Sequence, residues 1–553
     1  MELLVLIRGI KSYGFISLRH KQLSVSILIF FIVSYILLSI SLYMLFPKMG
    51  IDKTKALIPG VNFVECMKAV GRPGWHAALL LIPIVNIFVF VNMCIQIVRS
   101  FKKYELKHSA AVIAYAPAVF FKLAKDDHSK YDGPYMTKFT DYNNQIAEAK
   151  EKGNDRQFKK LVANNPFKKT AGREWIESIF FAVFAAAFIR MFLIEAFVIP
   201  TPSMEGSLNV GDYLFVSKAH YGIRTPMTVA MIPLLHNRIP GINTESYLES
   251  PSLPYYRLPA LESIDRNEPF VFNWPVGDSV YVTAKRPWSV SQVHRNIRGS
   301  IANDPGLKKL IDNKEFITRP IDKKDHYIKR CVGLPGDNLE IKKGQIYIDG
   351  KPSKNPKHMQ MLYELILPPG ETLNKNKLDE WGIDSGDFYP GTNRALFLDS
   401  TQVTQIKSIN PNIQLKRQFS QKDPGSMYPN SKKYFADWTN DDFGPIWIPK
   451  KGESIELTPE NIVMYRRVID VYENNDVTVS GNKMTINGKP ATDYTFKQNY
   501  YWAMGDNRLN SEDSRAWGFV PEDHIVGKPL FIWFSKDQTG INWERIFKSA
   551  NKN

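Results

Sequence analysis

The chain has 553 residues, 44% of them hydrophobic and 23% charged, so it is too long for one ordinary core; length of this order predicts about two to four folding units and the composition excludes a disordered chain. Its three cysteines, Cys66, Cys94 and Cys331, are too widely spaced for a disulfide framework or a CxxC metal site. A net charge of +16 suits nucleic acid, an anionic membrane surface or an acidic substrate, so the placement of that charge has to decide.

The run Ser24 to Phe46 holds no charged residue, and about 23 apolar positions suffice to cross a bilayer core. It is also too long for the apolar part of a cleaved leader. His76 to Val98 is a second uncharged run, whose Pro83 and Asn86 a packed membrane span tolerates. Ala110 to Phe121 is apolar but short, which leaves interfacial, re-entrant and tilted-span readings open. Ile176 to Ile199 is a third candidate anchor, interrupted by Glu177, Arg190 and Glu195. Between Arg99 and Arg173 lysine and arginine are concentrated, including Lys102, Lys103, Lys159, Lys160, Lys168 and Lys169. By the positive-inside rule this loop is cytoplasmic. Arg8, Lys11, Arg19 and Lys21 put the N-terminus on the same side, and Lys48, Lys53 and Lys55 argue mildly against it. Three spans then place everything after Pro200 across the membrane. With the excess charge in that loop, a nucleic-acid partner is not expected.

From Pro200 onward short alternating runs separated by Gly, Pro, Asn and Asp predict a mainly β domain. QIYIDGKP from Gln345 and MTINGKP from Met484 each read as a strand entering a type I′ turn, and the two hairpins are candidates to pair around an insertion. Thr458-Pro459-Glu460 reads as an N-cap, a proline at N1 and an acidic first turn, opening a helix to about Tyr472.

Three segments carry chemistry. In FVIPTPSMEGSLNVGDYLFVSKAHYGIRTP, from Phe197, two prolines restrict the backbone around Ser203. In HYIKRCVGLPGD, from His326, a strand would aim Lys329 and Arg330 to opposite faces, and apolar surroundings would lower the lysine pKa toward that of a general base. GDNRLNSEDSRAWGFVP, from Gly505, is a polar loop able to brace itself. Taken singly, each also reads as an ordinary turn, a solvated strand lysine or a structural loop.

Taken together and in this order, after a membrane anchor, the segments resemble the sequence boxes of bacterial signal peptidase I, peptidase family S26. GPIWIPKKGESIELTPEN and the TPM after YGIR look like the enlarged Bacteroidetes-type form. The resemblance implies a signal-peptidase-like, mainly β extracytoplasmic catalytic domain with inserted subdomains, preceded by an α-helical transmembrane region. It implies a membrane-bound serine endopeptidase that cleaves signal peptides from exported preproteins after Ala-x-Ala-like sites, with no cofactor or metal. Ser203 would be the nucleophile and Lys329 the general base, with the Ser203 amide and the Thr201 hydroxyl holding the oxyanion. Ser511 would orient the lysine, and Asp513 and Arg515 would brace the loop. Phe197, Ile199, Pro200, Tyr327 and Ile328 would bind the substrate strand, Ile199, Tyr327 and Ile328 lining shallow apolar pockets. Implied partners are preproteins delivered by the secretion machinery and the phospholipid of the bacterial cytoplasmic membrane, around a multi-pass monomer. Glu205-Gly206 and Leu509 depart from the family, which commonly has Pro-Thr and Asp there. A peptidase dedicated to one partner is the alternative.

The expected organisation is a membrane region over 1–122, a basic cytoplasmic linker over 123–175 and an anchor over 176–199. The first catalytic part covers 200–352 with an insertion at about 227–322. A β-rich inserted subdomain follows over 353–483, then a second catalytic part over 484–540 and a tail over 541–553.

Overall fold

The computed structural model describes residues 29–551, apart from 31, 82–84, 170, 229, 241–243, 251, 296, 371–372, 384–394, 424–425 and 538–539. The basic N-terminal residues, the first five positions of the first apolar run and Pro83 lie outside the described residues. The chain divides into two compact units, Ser24–Ala182 and Val183–Asn553, the second together with Met1–Leu23.

The first unit is helical. Leu42, Phe46, Cys66, Met67, Cys94, Ile97 and Phe120 form its core. Among the described residues two helices are long and apolar enough to cross a membrane by length and composition, Ile32–Met49 and Ala171–Phe192. Among its described residues the second apolar run holds a 3-10 stretch, Gly74–Leu81, and a helix, Val85–Arg99, that is shorter than these two. The short run around Ala110 is two helices, Leu106–Ala114 and Ala116–Lys125, parted by an extended Tyr115. Pro117 sits in the first turn of the second, where its missing N–H costs nothing.

The third apolar run also divides. Its helix ends at Phe192, and Ile194–Val198 is a strand, β1. Within that strand the buried Glu195 carboxylate is held by Arg190 and Lys218, each at 2.8 Å. β1 is the first strand of an eight-stranded sheet whose main path also contains β2 (Asp212–Ser217), β3 (Pro269–Asn273), β4 (His326–Gly333), β5 (Tyr500–Met504), β6 (Val520–Pro521) and β7 (Ile525–Asp537). The order is β1-β2-β7-β3-β4-β5-β6, antiparallel throughout. Although three strands separate β1 from β4, the Phe197 ring packs on His326 at 4.8 Å, and Ile199 shares a core with Ile328. The sheet is therefore strongly curled.

β3 lies inside the stretch expected as an insertion, yet it is central to the sheet. All five of its residues are buried, so its sequence, PFVFN, lacks the alternation that marks a half-exposed strand. Both Asp-Gly and Asn-Gly turns have positive φ at each residue, as type I′ turns require. The two hairpins belong to different sheets and do not pair with each other. Thr458 caps its helix by accepting from the Asn461 amide, and helical winding reaches Tyr472. Beyond 541 the chain is docked: Arg545 donates to the fully buried Asp212 at 2.6 Å, and the Ala550 amide to Leu530.

Candidate active site

Pro202–Met204 forms a single 3-10 turn just beyond β1, and it buries Ser203 and Met204. The turn is fixed from outside as well, since the Ser203 carbonyl accepts the Asn507 amide at 3.1 Å. Lys329 lies in the middle of β4, paired on one side with Phe270 of β3. Its Nζ stands 2.7 Å from Ser203 Oγ and 3.0 Å from the Ile328 carbonyl. Residues 126 positions apart in sequence thus meet in a buried pair.

Burial dominates the electrostatics of this amine. Lys329 is 4% exposed, and desolvation lowers its pKa to about 8, against the opposing pull of Asp513, Glu512 and Asp506. A drop of that size means that folding disfavours the ammonium form by about 3 kcal/mol. The Tyr327 ring centroid lies 5.5 Å from the amine, and the same ring stacks on Trp274 at 5.2 Å.

Arg330 points to the other face, as strand alternation requires. It is held by a bidentate pair with Asp506, Nε to Oδ1 at 2.7 Å and Nη2 to Oδ2 at 2.6 Å. The loop that carries Asp506 continues through Ser511 to a second buried pair. Asp513 accepts from Arg515 Nε at 2.9 Å and Nη2 at 2.7 Å, and from the Gly505 amide at 3.0 Å. Its carboxyl pKa is lowered, because Arg515 and these hydrogen bonds outweigh its burial. Gly505 is where the loop meets the nucleophile. A Cβ there would lie 2.3 Å from Ser511 Oγ and 2.5 Å from the Ser203 carbonyl, so no larger residue fits.

The expected site residues divide accordingly. Ser203, Lys329, Asp513 and Arg515 come together as described. The Ser511 hydroxyl is enclosed beside Gly505 without an ordinary hydrogen bond to Lys329, while it lies close enough to Asp513 to help lower that carboxyl's pKa. Thr201 is exposed and its side chain does not cap the turn. Phe197, Ile199 and Ile328 share one apolar cluster, whereas Tyr327 belongs to another, around Trp274 and on the lysine's face. The three residues expected to line the shallow pockets therefore face two ways. Pro200 is exposed. The sequence alone gives Asp506 and Gly505 no separate role, although the Gly-Asp-Asn run holds both; Asn507 acts through its backbone and leaves no residue-type signal.

Comparison with known proteins adds a family to this geometry. A family model described as signal peptidase, peptidase S26, matches residues 172–410 and 452–534, more than half of the chain. A second, described as a family of unknown function, matches residues 54–134. Curated relatives called signal peptidase I include that of Buchnera aphidicola subsp. Acyrthosiphon pisum, 25% identical over 394 residues, covering 70% of this chain and 85% of the relative. That of Haemophilus influenzae is 24% identical over 380 residues, covering 68% and 74%. That of Helicobacter pylori strain J99 is 22% identical over 391 residues, covering 68% and 91%.

Proposed function

Because the chain belongs to the signal peptidase family, peptidase S26, we propose that Ser203 is its nucleophile, Lys329 its general base, and small-residue sites of exported preproteins its substrates. The activity is that of a signal peptidase, a serine endopeptidase. The observation that carries the dyad is the buried 2.7 Å approach of Lys329 Nζ to Ser203 Oγ.

A hydroxyl is a weak nucleophile until a neighbouring base takes its proton. Neutral Lys329 accepts that proton as Ser203 Oγ bonds to the scissile carbonyl carbon. The resulting oxyanion is stabilised by the Ser203 amide and the Thr201 hydroxyl, a donor worth roughly 3 kcal/mol when lost. The lysine then returns the proton to the departing amine as the C–N bond breaks. Water releases the acyl group by the same exchange in reverse order. Orienting the amine is the role assigned to Ser511, whose hydroxyl must turn toward Lys329 to fill it, and the Asp513–Arg515 pair holds its loop.

Two edges support the binding mode. Among the described residues β1 pairs only with β2, and β4 pairs with β5 only from Arg330 onward. An extended signal-peptide end inserts along these edges by β-augmentation, flanked by Phe197, Ile199, Pro200, Tyr327 and Ile328. Ala-x-Ala-like residues then face the apolar cluster. The chain acts as a multi-pass monomer in the bacterial cytoplasmic membrane, the helices Ile32–Met49 and Ala171–Phe192 among its anchors, with the β domain on the extracytoplasmic side.

The test is cleavage of a preprotein with an Ala-x-Ala site by the detergent-solubilised chain, beside Ser203→Ala and Lys329→Ala. Cleavage at that site lost in both variants is the expected result. Full activity in Lys329→Ala removes the base assignment, and no cleavage by the unsubstituted chain removes the substrate class.

A further inference from the structure

An inserted α/β subdomain interrupts the sequence between Lys329 and the Ser511 loop. Its sheet has the order Ala395–Leu398, Met361–Ile366, Gln414–Arg417. One face, with Leu365, Leu396 and Leu398, is buried together with Leu378 of the helix Lys375–Glu380 and Ile406 of the helix Ser400–Ile409. The other face presents Leu362, Ala395 and Phe397, and Leu509 packs against these three. This is a position at which the sequence departs from the family's usual aspartate, and a carboxylate would be poorly placed against three apolar side chains.

The contact continues through the main chain. The Gln360 amide donates to the Asp506 carbonyl at 2.9 Å, and the Arg508 amide donates to the Gln360 carbonyl at 3.1 Å. Gln360 thus extends the subdomain's first strand into a parallel bridge with Asn507. Asn507 is the residue whose amide holds the Ser203 carbonyl, and Asp506 is the partner of Arg330, next to Lys329. The second departure from the family lies at the same junction. Gly206 has φ +90°, and a Cβ on it would stand 2.5 Å from the His358 carbonyl.

We propose that this inserted subdomain is a positioning element of the catalytic centre: through Leu509 and the Gln360 main chain it holds the 505–511 loop against Ser203 and Lys329. Leu509, Gln360 and Gly206 are positioning residues, and none of them touches the reacting atoms. The inference rests on the Ser203–Lys329 assignment. If the docking is lost, the loop loosens, water reaches the lysine, and the amine becomes harder to deprotonate.

The experiment uses the full-length chain in detergent and compares Leu509→Asp, Leu509→Met and Phe397→Ala with the unsubstituted protein and with Ser203→Ala. Cleavage of an Ala-x-Ala preprotein is followed as kcat and KM across pH 6 to 10, on protein whose thermal transition is first recorded. In Leu509→Asp the ascending limb should move up by about one pH unit, with kcat at pH 7 about tenfold lower and KM within about twofold. Phe397→Ala, which breaks the contact from the subdomain side, should move it the same way, and Leu509→Met should restore it. A folded Leu509→Asp with its limb unmoved overturns the proposal, whatever its rate. If Leu509→Asp gives no thermal transition, the same criterion applies to Phe397→Ala. Activity persisting in Ser203→Ala would instead overturn the dyad and leave these limbs without a lysine to report on.

Discussion

Lowering or raising pH should switch the peptidase through one amine. With the Lys329 pKa at about 8, about one amine in a hundred is neutral at pH 6, one in ten at pH 7 and half at pH 8. If the neutral amine is the base, kcat/KM rises about fiftyfold from pH 6 to 8 and less than about 1.2-fold from pH 9 to 10. An ordinary lysine, with its pKa near 10.5, would still give a rise of several fold over that last interval. The assay is the initial rate of preprotein cleavage at substrate concentrations far below KM, so that the limb reports the free enzyme. Three buried histidines of the β domain do not imitate this limb, because burial holds His326 well below its ordinary range and lowers His236 to about 4 and His524 to about 4. A midpoint near 6.5, or a slope of one continuing to pH 10, would refute the argument that burial tunes this lysine.

Gly505→Ala should displace Ser511 and the Ser203 carbonyl together, since its methyl would meet both. A stability loss of about 1–3 kcal/mol, read by thermal denaturation, should accompany a fall in kcat that exceeds any change in KM. Asp513→Asn leaves the buried Arg515 without its counter-charge and should cost about 3 kcal/mol. Because Asp513 raises the Lys329 pKa, its neutralisation should also move the activity limb downward, the opposite of the shift expected from Leu509→Asp.

The parts of this architecture that the sequence discloses are those with local causes. The hairpin turns at Asp349-Gly350 and Asn487-Gly488 are legible because few residue pairs accept positive φ twice in succession. The helix after Thr458 is legible from its cap. Lys329 and Ser203 are legible only as a pattern of separate segments, since nothing in either segment shows that a curled sheet brings them together. The strand Pro269–Asn273 escapes notice because burial on both faces erases its alternation. The helix that stops at Phe192 escapes for the opposite reason: apolar texture continues into β1, while the ion pairs that Glu195 makes in that strand are with Arg190 and Lys218. The docking of the inserted subdomain is the least legible, because Gln360 acts there through its main chain. Leu509, an apolar residue in a polar loop, and the Glu205-Gly206 departure are its traces in the sequence.

The clamp of Asp212 by Ser535 and Arg545 bears on when this protease becomes one. β2 follows the nucleophile closely, but Ser535, which donates to its fully buried carboxylate, is made 323 positions later, and Arg545 333 positions later. Contacts so distant in sequence form late, after the intervening chain has been ordered. A growing chain therefore displays its serine long before it owns the sheet that aims it. A chain that stopped before Ser535 would lack both donors to the Asp212 carboxylate, and with them the closure of the sheet next to the nucleophile's strand.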